Sequence, residues 1–269
     1  MTTHRSFLDW PQPIPFAHRG GAGEHPENTL PAFAAAVAMG YRYLETDVHL
    51  TADGVVMAFH DAVLDRVTDR AGPIAGLSAA EVEAADAGYA FSPDGGATFP
   101  HRGHGLRVPR LDALLDALPA VRVNIDPKSD AVVAPLVEVL RRHGAFDRVC
   151  VGSFSDARIA RVRGLSGGAV CTSMGPRAGA VAWAACRSGR MPRQGADCLQ
   201  IPVSTRGVRL VTPALLRAAH RSGLKVHVWT IDDEAEMERL LDMGVDGIMT
   251  DRIGLLRDVM RRRGVWVDG

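Results

Sequence analysis

His18 and Arg19 stand side by side where a short apolar run, Ile14–His18, gives out. Glu45 and Asp47 lie two apart in "YLETDVHL", a spacing that turns both carboxylates to one face of a strand. His60 and Asp61 close the run "VVMAFH", Asp126 and Lys128 close "VNIDPK", and Trp229 and Thr230 fall near the end of Lys225–Ile231. Glu45, Asp47 and Asp126 form an oxygen-only set with no cysteine nearby, the ligand chemistry that hard divalent cations such as Mg²⁺ or Ca²⁺ prefer. Arg19 and Lys128 flank that set. A cation, a guanidinium fork and an ammonium group together suit a phosphate. Two histidines that titrate near neutrality can then donate and accept protons on opposite sides of the phosphorus. On this reading His18 delivers a proton at a phosphate that Arg19 holds.

Each of these residues also has a plain structural reading. Asp126 and Lys128 can form an ion pair closing a strand, Trp229 can pack at a rim, and His49 can cover a hairpin. His101 and His104, in "PHRGHG", read as loop residues, and Arg206 and Arg209 as cover for a helix. The argument for chemistry is that the polar members gather at the same end of their runs, which independent surface charges would not do.

Those runs require a scaffold that brings their ends together. Strand candidates are Ile14–His18, Tyr43–Leu50, Val121–Asp126, Val149–Phe154, Ala169–Met174, Cys198–Val203, Lys225–Ile231 and Gly247–Thr250. Helical patterns alternate with them, including Leu30–Met39, Val132–Arg142, Pro213–Ser222 and Glu234–Met243. Thr212-Pro213 and Asp232-Asp233 mark helix starts, and Gly40, Gly144, Gly223 and Gly244 mark stops. About eight strand–helix repeats predict an α/β (β/α)₈ TIM barrel, whose strand C-termini form the working face. An open doubly wound sheet is the alternative, weakened by the lack of a Gly-x-Gly-x-x-Gly turn. Asp53-Gly54 predicts that Val55–His60 folds back antiparallel on the second strand. The stretch from Ala62 to Val108, rich in Gly, Pro, Asp and Ala, reads as an inserted cap. The whole chain, 1–269, reads as one domain carrying that cap.

Composition narrows the partners. Lys plus Arg (31) balance Asp plus Glu (31), which argues against nucleic acid. No apolar run approaches a membrane span or a secretory signal, so a cytoplasmic protein without stable membrane association is expected. Cys150, Cys171, Cys186 and Cys198 are widely spaced and read as reduced core residues rather than a metal site or disulfide frame. The oligomeric state is left open.

"HRG-x5-PENT", "LETDVHLTADG" followed by "FHD", "IDPK", and "VWTIDDEAEMERLLDMGVDGIMTD" together resemble the glycerophosphodiester phosphodiesterases, over Pro15 to about Leu256. "LDRVTDRAGPIAGLSAAEVEAADAG" and "VPRLDALLDALP" resemble that family's variable cap and the helix after it. The resemblance implies a TIM barrel that hydrolyses glycerophosphodiesters to glycerol 3-phosphate and an alcohol, using a divalent cation. It makes His18 and His60 the acid/base pair, Arg19 and Lys128 phosphate contacts, Glu45 and Asp47 metal ligands, and Trp229 the aromatic at the substrate rim. Asp126 falls where the family usually has Glu, one methylene longer. Glu27 and Asn28 match a family segment and are assigned to loop and helix-start stabilisation. Two rival readings remain, a phospholipase C- or D-like barrel acting on phospholipids and a non-catalytic barrel binding phosphorylated ligands.

Overall fold

The computed structural model describes residues 5–11 and 13–267. Its strands, in chain order, are β1 (Ile14–His18), β2 (Tyr43–Leu50), β3 (Val56–Ala58), β4 (Arg122–Pro127), β5 (Val149–Val151), β6 (Cys171–Thr172), β7 (Cys198–Pro202), β8 (Ser204–Thr205), β9 (Val208–Arg209), β10 (Lys225–Trp229) and β11 (Gly247–Thr250). Eight of them pair in the parallel order β6-β5-β4-β2-β1-β11-β10-β7. A single parallel bridge, Ser173 to Cys198, joins β6 to β7 and closes the circle. The expected barrel is therefore present, but its closure is uneven. β4 shares six register pairs with β2, whereas the β6–β7 seam holds that bridge and flanking backbone bonds such as Met174 N–H to Cys198 O at 3.0 Å.

Helices between the strands face the barrel with their apolar sides, and several start with side-chain caps. α1 (Leu30–Ala38) is capped by Thr29, which accepts from the Ala32 N–H, and carries Pro31 in its first turn. α2 (Ala79–Glu83), in the cap, has a full Ser78–Glu81 capping box. α3 (Leu111–Ala117), α4 (Val133–Arg142), α5 (Asp156–Leu165) and α6 (Pro176–Ala185) follow. α7 (Pro213–Arg221) is capped by Thr212 and α8 (Glu234–Met243) by Asp233, as the sequence signals indicate. α9 (Ile253–Arg262) completes the ring.

Inside the barrel, side chains stack in layers. The N-terminal end is plugged by Phe7, which packs edge-on against Tyr43 at 5.3 Å and accepts the Tyr43 hydroxyl hydrogen bond at its carbonyl. Above lie Phe16, His227 and the thiols of Cys150, Cys171 and Cys198, all buried. Asn124 and Gln200, joined at 2.8 Å, form the next layer. β3 pairs antiparallel with β2, with Val48 opposite Ala58, so the fold-back predicted from Asp53-Gly54 is observed. A second apolar cluster, including Met57, Phe59, Leu64, Ile74 and Val82, seats the cap on that hairpin.

Candidate active site

Parallel register assembles the rim. His18 pairs with Glu45 and Glu45 with Asn124, one layer across three strands, and Asp47 pairs with Asp126 two residues nearer the rim. After His18 the chain must leave the barrel at once, and Arg19 and Gly20 do so in left-handed conformations (φ +51° and +83°). Gly20 is required there twice over, because a Cβ would also meet the Ala32 Cβ at 2.9 Å. The Arg19 N–H is held by the Glu45 carbonyl at 3.0 Å, and its own carbonyl accepts from Asn28 N–H. Asn28, also left-handed (φ +55°), accepts from the Thr46 hydroxyl at 2.7 Å. Glu27 contacts Arg19 at 3.3 Å. The "PENT" segment thus clamps the turn that aims Arg19, in keeping with the stabilising part expected of Glu27 and Asn28.

Each rim histidine is tied to an aspartate. His18 Nδ1 lies 2.6 Å from Asp251 Oδ1, and His60 Nδ1 lies 2.5 Å from Asp61 Oδ1. His18 Nε2 is also 3.6 Å from Glu45. Burial alone would lower the His18 pKa, but Glu45 and Asp251 outweigh it and raise it. His49 does not join this chemistry. It bonds the His60 carbonyl at 3.0 Å, and burial lowers its pKa.

The acids are crowded. Burial, then Asp47, pushes Glu45 up to about 8. Lys128 Nζ stands between Asp47 and Asp126, at 2.6 and 2.8 Å. Its pKa is raised, because those two acids outweigh the burial that would lower it. Arg19 Nε is 3.2 Å from Asp47 Oδ2, but off the hydrogen-bond line, so both atoms remain buried without a hydrogen-bond partner, as does Asp126 Oδ1. One oxygen from each of Glu45, Asp47 and Asp126 does not fall within 4.8 Å of the others. The described residues contain one such group of three possible ligands, and it is the sulfur trio.

His18, Arg19, Glu45, Asp47, His60, Asp126, Lys128 and Trp229 all line one cavity of about 570 Å³. Sequence reasoning misses several other contributors. Asp251 follows the last strand, and its place just past a strand end is the signal that could have found it. Phe154 is 67% exposed and meets Trp229 edge-on at 5.6 Å. Arg66 links the cap to the barrel, reaching Asp61 at 2.5 Å and Glu27 at 2.7 Å. Asn124 and Gln200 form the floor. The far wall is apolar, with Met174, Trp183, Ile201, Leu210 and Leu215.

A closed parallel barrel with two aspartate-tied histidines, an arginine, a lysine and three carboxylates lining one cavity at its C-terminal rim has the architecture of a barrel phosphodiesterase. Residues 18–255 match the model of the glycerophosphoryl diester phosphodiesterase family, and the chain belongs to it. It is 40% identical over 261 residues to a Mycobacterium tuberculosis protein described as "Probable glycerophosphodiester phosphodiesterase 2", covering 94% of this chain and 92% of that one. A crystal structure from Silicibacter pomeroyi with the same family description shares 28% identity at a TM-score of 0.82, covering 98% of this chain and 100% of that one. An Oleispira antarctica phosphodiesterase, solved with its product sn-glycerol-3-phosphate, shares the fold (TM-score 0.77, 24% identity, 93% of this chain and 97% of that one). The chain is thus a phosphodiesterase of glycerophosphodiesters.

Proposed function

We propose that the chain hydrolyses glycerophosphodiesters to glycerol 3-phosphate and an alcohol, with His18 and His60 as the proton-handling pair and a divalent cation at the rim. The observation that carries this is the matched tying of both imidazoles. Each Nδ1 faces an aspartate, which holds the ring and keeps Nε2 as the nitrogen that exchanges protons with substrate. His18, with its raised pKa, is the acid that protonates the departing alcohol oxygen. His60 takes a proton from the nucleophile, either water or the neighbouring glycerol hydroxyl. Arg19 and Lys128 hold the phosphate, and Trp229 with Phe154 borders the headgroup.

In donor chemistry Glu45, Asp47 and Asp126 fit a hard cation, Mg²⁺ or Ca²⁺, and they would draw closer together to hold it. They are oxygen-only, Glu45 is raised by burial and then by the charge of Asp47, and Asp47 Oδ2 and Asp126 Oδ1 lack hydrogen-bond partners. The cation would polarise the phosphoryl oxygens. Lys128 bridges two of these acids, so in this proposal it gives up part of that contact to reach the phosphate. The balanced charge favours a small molecule over nucleic acid as the substrate. The chain acts, in this proposal, as a single domain in the cytoplasm. No helix among the described residues is long and apolar enough to cross a membrane.

The test is a panel of glycerophosphodiesters assayed with Mg²⁺, Ca²⁺ and Mn²⁺ against an EDTA control. His18→Ala and His60→Ala should each lower kcat by about 10²–10⁴-fold. Full metal-dependent activity in both variants would refute the two proton-handling roles. The apolar wall of the cavity favours a second reading, in which the diester carries a hydrocarbon chain, as a phospholipid-cleaving barrel would require. Comparing kcat/KM for lysophosphatidylcholine and glycerophosphocholine separates the two.

A further inference from the structure

Beneath the rim lies a second cluster that the phosphodiesterase chemistry does not use. Cys150, Cys171 and Cys198 come from three neighbouring strands, are at most 1% exposed, and bring their sulfurs within 4.8 Å of one another. Cys150 and Cys198 Sγ are 3.8 Å apart. A tetrahedral zinc ion with Zn–S bonds of about 2.3 Å separates its sulfurs by about 3.8 Å. His227, on the next strand, is completely buried, but neither of its ring nitrogens lies within 4.8 Å of all three sulfurs. Its Nδ1 faces the Gln200 amide at 3.4 Å, while Nε2 has no hydrogen-bond partner. Three buried thiols facing one another at the spacing of metal ligands are a soft donor set that suits a thiophilic ion.

The position adds an independent reason. β5 and β6 are the shortest barrel strands, with three and two residues, and the β6–β7 closure rests on the Ser173–Cys198 bridge. The three thiols straddle that seam. We propose that Cys150, Cys171 and Cys198 form a structural three-thiolate site for Zn²⁺, which fastens the barrel where its hydrogen-bond ladder is thinnest. Each sulfur releases its proton to solvent as its bond to the ion forms, and no electron transfer is involved.

The experiment is to refold the full chain with excess Zn²⁺, wash it with EDTA to clear the rim, and count retained zinc by native mass spectrometry. About one ion per chain should resist the wash, leave on unfolding in guanidinium, and raise the melting temperature over the zinc-free chain. Refolding with Co²⁺ should produce thiolate-to-cobalt charge-transfer bands. Cys171→Ser and Cys198→Ser should reduce retained metal at least about tenfold, and Asp126→Asn, at the rim, should leave it unchanged. If the serine variants do not fold, the wild-type measurements still decide. Wild-type chain that keeps no zinc after the wash, or lacks the cobalt–thiolate bands, overturns the proposal.

Discussion

Single residues at the rim act through partners that are far away in sequence. Asp251, 2.6 Å from His18, fixes the imidazole in one orientation and tautomer. Asp251→Asn should therefore lower kcat by about 10–100-fold with little change in melting temperature, which steady-state kinetics and a thermal scan would show. Asp61 plays the matching part for His60. Burial would raise its pKa, but Arg66 and His60 outweigh this and lower it. A depressed folded-state value means its stabilising contribution is complete above the unfolded pKa of about 3.9 and is lost as pH falls through the lower folded value. Melting temperatures of wild type and Asp61→Asn should thus differ above about pH 4 and converge in stronger acid. That His18, Arg19, Glu45, Asp47, His60, Asp126, Lys128 and Trp229 meet at one cavity is legible in the sequence because each lies on a strand or just past its end. Asp251 follows such an end too and is missed, although the same rule applied to β11 points to it. Phe154 and Arg66 are not legible, since their roles depend on which loops meet across the rim.

At the level of elements, strands and their caps follow closely from local sequence. β1, β2, β11 and α8 have the expected bounds. The strands expected over Val149–Phe154 and Ala169–Met174 are shorter, Val149–Val151 and Cys171–Thr172, and past them only the Ser173–Cys198 bridge and a few backbone bonds continue the pairing while Gly152, Ser153, Ser173 and Met174 line the cavity. The β8–β9 hairpin has no sequence signal, for its two-residue strands are exposed and carry no alternating pattern. The cysteines show the limit of spacing arguments most clearly. Nothing in their separations predicts convergence, which is produced by strand order and inward register. The turn after β1 supports a sharper expectation. Gly20→Ala meets both a left-handed backbone and the Ala32 side chain, and should destabilise by about 1–3 kcal/mol in denaturant titrations while also lowering activity.

Over the whole molecule, the barrel is a stack with different tasks at different depths. Aromatic rings seal the bottom, thiols and an imidazole occupy the middle, amides form a floor, and charge collects at the top. Truncating the seal should be costly. Phe7→Ala should lower stability by about 3–5 kcal/mol, measured by equilibrium unfolding, while leaving the shape of the pH–activity profile intact. The fold class is readable because eight alternating units admit few other closures. The uneven seam is not, since strand length at β5 and β6 is set by packing around the cavity.

The two imidazoles do not share a support. One extends directly from the barrel wall, whereas the other belongs to the segment that leads into the inserted lobe and is secured by the Arg66 bridge. Substitutions that reshape the lobe to admit a different alcohol therefore also reposition one of the two histidines proposed to move protons. In this protein, acquiring a new substrate and retaining turnover are a single structural problem.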